Sequence, residues 1–276
     1  MYIFSLYFFW IAYIYAFTYA FGISFKDFDS VWAFLLILVF IIISLAFSLY
    51  SQLLIMWILG KFRKNTDTLS SFNHRYVNSI LKLAQHLLRL KIITSGEEHI
   101  PEGKFVFVGN HQENYDIIAL KPIFKNHPLC FIGKESLFKV PFIGPWMPII
   151  GNVPIGKNAD RSAAESIING IKQYKKGHSV GIFPEGKRSF SVEMIDFKPG
   201  AFKLAMKAKA DILIGTLYKL DKIFKTFPYK RHKAYIHFSP VLKYEDYKDL
   251  NSIELSTKVK AIIQNQLDEF KKTRKH

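Results

Sequence analysis

One histidine and one aspartate lie five residues apart in the segment GNHQENYDIIAL, directly after a short apolar run. On one regular helix, His111 and Asp116 would point about 140° apart, because a helix has about 3.6 residues per turn. They can meet if His111 lies on a loop and Asp116 in the first turn of the next helix. A carboxylate bonded to one imidazole nitrogen fixes the tautomer and leaves the other nitrogen free to take a proton. The pair therefore predicts a general base, although a helix cap beside a surface histidine would show the same spacing.

A second candidate segment, GIFPEGKRSF, also follows an apolar run. Pro184 and Gly186 predict a tight turn with free backbone N–H groups. The guanidinium of Arg188 matches a phosphate group, because it can donate two parallel N–H bonds. We interpret this turn as a candidate phosphate site, with a charged surface hairpin as the alternative.

Basic and apolar side chains are mixed in a third segment, GKESLFKVPFIGPWMPIIGNVPIGK. A solvated basic face would explain Lys134, Lys139 and Lys157. The apolar residues are too numerous for a solvated loop, so the segment is expected to face the membrane or a lipid. These apolar residues are Phe138, Val140, Phe142, Ile143 and Trp146.

Strands alternate with helices in the part of the chain that carries these segments. Six short runs rich in β-branched and aromatic residues predict strands, namely KFVFVG, PLCFIG, GNVPIG, HSVGIF, DILIGTLY and AYIHFSPV. A helix is predicted between the third and fourth strands, with Asn158 or Asp160 as its cap and Gly177 after its end. Two more helices are predicted, at residues 72–90 and near the C-terminus. The alternation predicts an α/β fold with a largely parallel sheet flanked by helices.

The composition is strongly asymmetric along the chain. Half of the 276 residues are hydrophobic, yet Lys and Arg outnumber Asp and Glu by 38 to 22. The charged side chains in residues 1–60 are Lys26, Asp27 and Asp29, so the positive surplus lies entirely in the remaining residues. This pattern excludes a disordered chain and predicts a protein held at an anionic membrane surface. Basic charge alone would fit nucleic acid equally well, but the apolar segment favours the membrane, and no nucleic-acid partner is expected.

Two uncharged runs, residues 1–25 and 31–60, are each long enough to cross a bilayer as a helix. A signal peptide is not favoured, because the first run lacks a basic beginning and a second apolar run follows at once. We therefore expect residues 1–60 to form a membrane-anchoring helical hairpin and residues 61–276 to form the α/β domain. An interfacial position of the first run stays an alternative.

The basic cluster Lys61, Arg63 and Lys64 follows the second apolar run. Because basic residues concentrate on the cytoplasmic side of membrane segments, this cluster predicts the orientation of the chain. The α/β domain is expected on the cytoplasmic face of the cell membrane, as in a bacterial-type inner membrane.

Taken in order, N-H-x-x-x-x-D, the block K-E-S-L-F-K-V-P-F-I-G and F-P-E-G-K-R-S resemble the 1-acylglycerol-3-phosphate acyltransferase family of glycerolipid acyltransferases. The resemblance covers residues 72–241, and three ordered motifs are far more specific than any one of them. It implies acyl transfer from a thioester to the free hydroxyl of a lysophospholipid, with lysophosphatidic acid giving phosphatidic acid. The implied partners are the lysophospholipid acceptor, an acyl donor in the form of a coenzyme A or acyl carrier protein thioester, and the bilayer.

The resemblance also implies roles for individual residues. His111 would be the general base toward the acceptor hydroxyl, Asp116 would orient it, and Arg188 would bind the acceptor phosphate. The implied substrate-binding positions are Asn110, Lys134, Pro184, Glu185, Gly186 and Arg188. No metal or organic cofactor is implied, because deprotonating the hydroxyl and stabilising the oxyanion suffice. The single cysteine, Cys130, also excludes a multi-cysteine metal site and a disulfide framework.

Four features depart from the family pattern. Glu113 stands where Ser is frequent, Lys187 where Thr is usual, and Gly156-Lys157 where the third block usually ends in Asp-Arg. The late apolar motif, ILIGTLYK, lacks its prolines. These differences leave open which headgroup and which donor the site accepts, so the same chemistry on another lysophospholipid is an alternative.

Two other classes of protein explain less of the sequence. A serine hydrolase could pair Ser189 or Ser136 with His111, but no G-x-S-x-G elbow occurs. A basic, membrane-tethered anion-binding protein without catalysis would leave the order of the three motifs unexplained. Acyl transfer is therefore the favoured function.

Overall fold

The computed structural model of the protein describes residues 2–20, 31–156, 159–223 and 228–274. By internal contacts the chain divides into two compact units, Met1–Asn65 and Thr66–His276. The link between the two apolar runs lies outside the described residues, and so do Lys157, the candidate cap Asn158 and the side chain of Asp160.

The first unit is a pair of antiparallel helices, α1 (Tyr2–Ala20) and α2 (Val31–Arg63). Polar side chains join them: the Ser48 hydroxyl donates to the carbonyl of Leu6 over 2.7 Å, and Trp10 Nε1 donates to the carbonyl of Ile41 over 3.2 Å. Both helices are long and apolar enough to cross a membrane, and their outward side chains are largely hydrophobic.

The second unit is built on one seven-stranded sheet. Its strands are β1 (Leu90–Ser95), β2 (Val106–Gly109), β3 (Leu129–Lys134), β4 (Val153–Ile155), β5 (Ser179–Ile182), β6 (Ile212–Tyr218) and β7 (His232–Phe238). Their order is β1-β7-β6-β2-β5-β3-β4. All neighbours are parallel except β6 and β7. The carboxyl ends of β2, β3 and β5 therefore lie at one edge of the sheet.

Helices cover both faces of this sheet. They are α3 (Ser71–Leu87), α4 (Tyr115–Leu120), α5 (Trp146–Ile149), α6 (Ala159–Lys176), α7 (Lys203–Ala208) and α8 (Ser252–Thr273). On one face the sheet packs under side chains of α6, α7 and α8, and on the other under those of α4. Apolar side chains of the central strands β2 and β6 point alternately to the two faces, which is why both faces need a cover.

The expected fold class, a largely parallel α/β sheet behind two apolar helices, is confirmed. All six predicted strands are present, and a seventh, β1, was not predicted, because it begins at Leu90, where the predicted helix over residues 72–90 ends. The helix ends at Leu87, and Arg89 turns the chain with a φ of 52°. β1 is an edge strand with mostly half-exposed residues, so it lacks the continuous apolar run that reveals a buried strand.

One residue of the expected lipid-facing segment lies inside the fold. Trp146 is 3% exposed and stacks on Tyr76 of α3, with ring centroids 4.5 Å apart. Leu137 and Ile143 do remain exposed. Some apolar residues of this segment therefore belong to the core, and others are exposed at the surface.

A buried lysine lies where α3 packs on the α/β core. Lys121 is 2% exposed, its Nζ donates to the carbonyl of Leu129, and it lies 3.4 Å from His74 Nδ1. His74 Nε2 in turn bonds to the carbonyl of Thr68 over 2.8 Å. Within the described ranges Lys121 has no carboxylate partner. Burial therefore lowers the pKa of Lys121 to about 8 and that of His74 to about 3.

This lysine gives stability a defined pH dependence. Above pH 8 the folded protein releases the Lys121 proton, whereas the unfolded chain keeps it until about pH 10.4. The unfolded state then binds more protons, so stability rises with pH. We expect a gain from this group of about 2 kcal/mol between pH 7 and about pH 9.5, measured by denaturant unfolding of the full chain in detergent. Lys121→Met should lack this gain, and equal pH slopes in both proteins would contradict the assignment.

Candidate active site

The histidine and the aspartate of the first motif meet at the carboxyl end of β2. His111 lies on the loop after β2, and Asp116 lies in the first turn of α4. His111 Nδ1 is 2.6 Å from Asp116 Oδ2. The His111 side chain is 19% exposed and that of Asp116 is fully buried. Since Nδ1 is engaged, Nε2 is the nitrogen left for an external proton, and the described part of the chain offers it no partner.

The same oxygen of Asp116 shapes the loop around the histidine. Asp116 Oδ2 also accepts the backbone N–H groups of Gln112 over 2.7 Å and of Glu113 over 3.1 Å. Burial raises the pKa of the Asp116 carboxyl, whereas the bonds from His111 and from the two backbone amides favour its charged form. The aspartate therefore holds both the imidazole and the backbone beside it.

The imidazole of His111 packs on two stacked phenylalanine rings. The His111 ring stacks on Phe183, with centroids 4.4 Å apart and an interplanar angle of 17°. Phe183 stacks in turn on Phe131, at 6.1 Å and 8°. Gly181 makes room for Phe131, because a Cβ at Gly181 would lie 2.3 Å from that ring. These aromatic positions were not predicted, since single aromatic residues in strands are usually core.

Glu185 joins the loop after β5 to the histidine loop. Its carboxylate is 2% exposed and accepts the backbone N–H of His111 over 2.7 Å and that of Ile195 over 3.2 Å. Burial raises the pKa of Glu185 to about 6, and the two backbone bonds oppose this shift. The backbone N–H of Ser189 also donates to the carbonyl of His111 over 2.9 Å. The side chain expected to bind substrate is thus turned inward.

Asn110 joins the same loop to the end of β6. Its amide donates to the carbonyl of Leu217 over 2.9 Å, and its oxygen accepts the Leu217 N–H over 2.8 Å. Asn110 is 1% exposed. Gln112 adds a second tie, because its oxygen accepts the backbone N–H of Leu220 over 2.8 Å. Asn110, like Glu185, fixes backbone and does not face the open side of the site.

Arg188 lies beside the histidine loop and is partly exposed. Its Nη1 donates to Glu113 Oε2 over 3.2 Å, and its guanidinium lies 4.4 Å from the ring centroid of Phe190. The motif residue expected to bind phosphate therefore already has a carboxylate on one edge. This ion pair was not predicted, because nothing in the spacing of residues 113 and 188 links them.

The remaining candidate residues lie at the same edge of the sheet. Pro184 is buried, and Gly186 forms the expected tight turn with a φ of 68° and an N–H bond to the carbonyl of Phe183 over 3.1 Å. Lys134 is exposed at the carboxyl end of β3, where it pairs with Ile155 of β4, and its side chain has no hydrogen bond or ion pair within the described ranges. Lys198 is exposed beside the turn, where its Nζ would lie 3.2 Å from a Cβ at Gly186. Lys198 is a basic neighbour that the motifs did not indicate.

A serine hydrolase that uses Ser189 finds no support in this geometry. The Ser189 hydroxyl donates to the carbonyl of Ser191 over 2.8 Å, so it is not directed to the imidazole. In the described part of the chain, no group of three His, Cys, Asp or Glu side chains is placed to hold a metal ion.

Comparison with known proteins shows which family the chain resembles. A family model described as "Acyltransferase" matches residues 91–218. The 1-acyl-sn-glycerol-3-phosphate acyltransferase of Borreliella burgdorferi is 32% identical over 185 residues, which cover 63% of this chain and 72% of that protein. The enzyme of the same name from Escherichia coli is 35% identical over 112 residues, covering 40% of this chain and 45% of that protein.

A solved structure has the same fold. The crystal structure of the 1-acyl-sn-glycerophosphate acyltransferase PlsC from Thermotoga maritima matches with a TM-score of 0.62 and 23% identity, covering 77% of this chain and 87% of that one. This similarity shows the fold, and the sequence match to the Borreliella enzyme shows the relationship. The chain is therefore an acyltransferase that belongs to the 1-acyl-sn-glycerol-3-phosphate acyltransferase family.

Proposed function

We propose that the protein is a membrane-bound enzyme that transfers a fatty acyl group from an acyl thioester to the free hydroxyl of lysophosphatidic acid, giving phosphatidic acid. The observation that carries this proposal is the His111–Asp116 pair, 2.6 Å apart, with Arg188 on the adjoining loop. The curated relatives that match the chain carry the name of this activity.

The chemistry follows from the free nitrogen of the imidazole. His111 Nε2 takes the proton of the acceptor hydroxyl as its oxygen attacks the thioester carbonyl. The C–S bond then breaks, and the departing thiolate receives that proton from the imidazolium. Asp116 holds the tautomer in which Nε2 is a base and stabilises the imidazolium that forms in between.

The acceptor phosphate would bind on the open side of the turn after β5. Arg188 can present further N–H groups there, because among the described residues its side-chain hydrogen bond is the one from Nη1 to Glu113. Lys134, at the same edge of the sheet, would add a second positive charge. Pro184 and Gly186 shape the turn that carries Arg188.

Asn110 and Glu185 serve this site as positioning residues. Both side chains are buried and bonded to backbone groups of other strands, so their effect on substrate passes through the histidine loop. A displacement of the base by about 1 Å can cost about 100-fold in rate, which gives such bracing a direct kinetic consequence.

The two apolar helices would hold the enzyme in the membrane where its lipid substrate lies. Each is long enough to cross the bilayer, and Lys61 and Arg63 lie in the last turn of α2. Basic residues at this end favour a cytoplasmic position for the acyltransferase unit. Coenzyme A and acyl carrier protein thioesters are both donors that this side would supply, and the chemistry requires no metal or organic cofactor.

Product analysis tests the proposal directly. The purified full chain in liposomes is given a mixture of lysophospholipids together with acyl-coenzyme A and acyl carrier protein thioesters, and the products are identified by mass spectrometry. Phosphatidic acid is the expected product. If the two thioesters carry acyl chains of different length, the chain found in the product identifies the donor. If only other lysophospholipids are acylated, lysophosphatidic acid is not the acceptor. If only free fatty acid is released, the protein is a hydrolase.

The His111–Asp116 pair should behave as one unit in kinetics. His111→Ala removes the base and should lower kcat by about 10²–10⁴-fold with a small change in KM. Asp116→Asn keeps the shape but allows the wrong tautomer, and should cost a similar factor. The double variant should be hardly worse than His111→Ala, because residues that act together are not additive.

Steady-state kinetics of the three variants check this expectation, and thermal unfolding shows whether each one folds. Losses that multiply in the double variant would mean that Asp116 serves something other than His111. A full-rate His111→Ala variant would exclude the imidazole as the base.

Glu185→Gln should lower kcat more than it changes KM. The amide group of glutamine cannot accept both the His111 and the Ile195 N–H bonds, so the loop that carries the base loses one anchor. We expect a fall in kcat of about 10–100-fold, measured with saturating acceptor. Glu193→Gln is the matched control on the same loop, because Glu193 is exposed and pairs with Lys271 at the surface. An unchanged kcat in Glu185→Gln would show that the hydrogen bonds of Glu185 do not affect the position of His111.

Membrane attachment should resist salt. Burial of two long apolar helices is not screened by ions, so the full chain should stay in the membrane pellet at 1 M NaCl, where the Debye length is about 3 Å. A chain that starts at Thr66 keeps only the basic surface and should be released by the same wash. Fractionation followed by immunoblotting measures both, and release of the full chain by salt would refute the anchor.

A further inference from the structure

Glu113 forms an ion pair with Arg188, the residue proposed above to bind the acceptor phosphate. The Glu113 side chain is 19% exposed and that of Arg188 is 34% exposed, so both line accessible space beside His111. Glu113 Oε2 accepts Arg188 Nη1 over 3.2 Å and the backbone N–H of Asn114 over 3.0 Å. The guanidinium also lies over the ring of Phe190, 4.4 Å from its centroid. A phosphate that reaches Arg188 must therefore approach a cation already neutralised by a carboxylate.

The charge balance around the base makes this neutralisation matter. Three carboxylates lie beside His111, those of Glu113, Asp116 and Glu185. Within the described ranges, Arg188 is the one lysine or arginine in ion-pair contact with any of them, and Asp116 is paired with His111 itself. A phosphomonoester carries about −1.5 to −2 charges at pH 7, whereas a phosphodiester carries one. The cost of sharing Arg188 with Glu113 rises with the charge on the acceptor phosphate.

We propose that Glu113 is a headgroup-selectivity residue, which competes with the acceptor phosphate for Arg188 and penalises phosphomonoesters more than phosphodiesters. This inference rests on the proposed function, because it assumes that Arg188 binds the acceptor phosphate. It assigns Glu113 a role through Arg188 and not in the chemical step. The effect should therefore fall on KM and on acceptor affinity.

Neutralising Glu113 tests the competition. Glu113→Gln keeps the size of the side chain and removes its charge. The KM for lysophosphatidic acid should fall by about 10-fold, and that for lysophosphatidylglycerol by no more than about threefold, because the phosphate no longer shares Arg188 with a carboxylate and the gain rises with the charge on the phosphate. Glu113→Ser should shift both KM values in the same direction. Glu245→Gln is the matched control, because Glu245 is exposed, pairs with Lys248 and changes the net charge equally.

A double-variant cycle shows whether the effect passes through Arg188. In an Arg188→Ala background, Glu113→Gln should change the KM for lysophosphatidic acid by no more than about twofold, since the shared cation is gone. An equal gain in both backgrounds would overturn the competition. A rise in KM for every acceptor would also overturn it, because Glu113 would then hold Arg188 in place for the substrate.

A zwitterionic acceptor distinguishes competition for Arg188 from direct binding of the headgroup by Glu113. If Glu113 bound the ammonium group of lysophosphatidylethanolamine, Glu113→Gln would raise the KM for that acceptor alone, which would contradict the proposal. Competition predicts a KM change for it no larger than for lysophosphatidylglycerol.

Binding without turnover keeps this test apart from the test of the proposed function. The affinities of lysophosphatidic acid and lysophosphatidylglycerol are measured on full-length His111→Ala protein, with and without Glu113→Gln. A wild-type protein that acylates no lysophospholipid would refute the proposed function. An active wild type whose acceptor preference and affinities do not respond to Glu113→Gln would refute the present inference alone.

Discussion

A single buried oxygen organises the site. Asp116 Oδ2 accepts the imidazole N–H of His111 and the backbone N–H groups of Gln112 and Glu113. Burying a charged carboxylate costs free energy unless several hydrogen-bond donors surround it. The loop after β2 therefore curls around the first turn of α4, where its N–H groups reach Asp116. The tautomer of the base and the path of the loop are thus two results of one electrostatic requirement.

That loop is held from both sides by the strands next to β2. Glu185, after β5, accepts the backbone N–H of His111, and Asn110 bonds to both backbone groups of Leu217 at the end of β6. Because β5, β2 and β6 are parallel neighbours, their carboxyl ends meet at this edge. The buried polar residues of the motifs therefore fix the backbone around His111, while Arg188 and Lys134 are more exposed.

The parts that sequence could predict are those that depend on local pattern. Runs of β-branched residues gave six strands, and the spacing of His111 and Asp116 required a loop and a helix start. The inward direction of Glu185 and the ion pair between Glu113 and Arg188 depend on how two loops pack, 75 residues apart in the latter case. Motif type shows that a residue matters, but only tertiary packing decides whether it faces substrate or backbone.

The aromatic stack links the core of the sheet to the chemistry at its edge. Gly181 has no side chain, so the ring of Phe131 lies across β5 and supports Phe183, on which the His111 ring rests. Close-packed rings resist displacement, because a small gap already forfeits much of the dispersion energy. The Asp116 bond fixes the rotation of the imidazole in its plane, and the Phe183 face fixes the plane itself. Nε2 is therefore held in one direction, as a group that takes a proton from a bound hydroxyl must be.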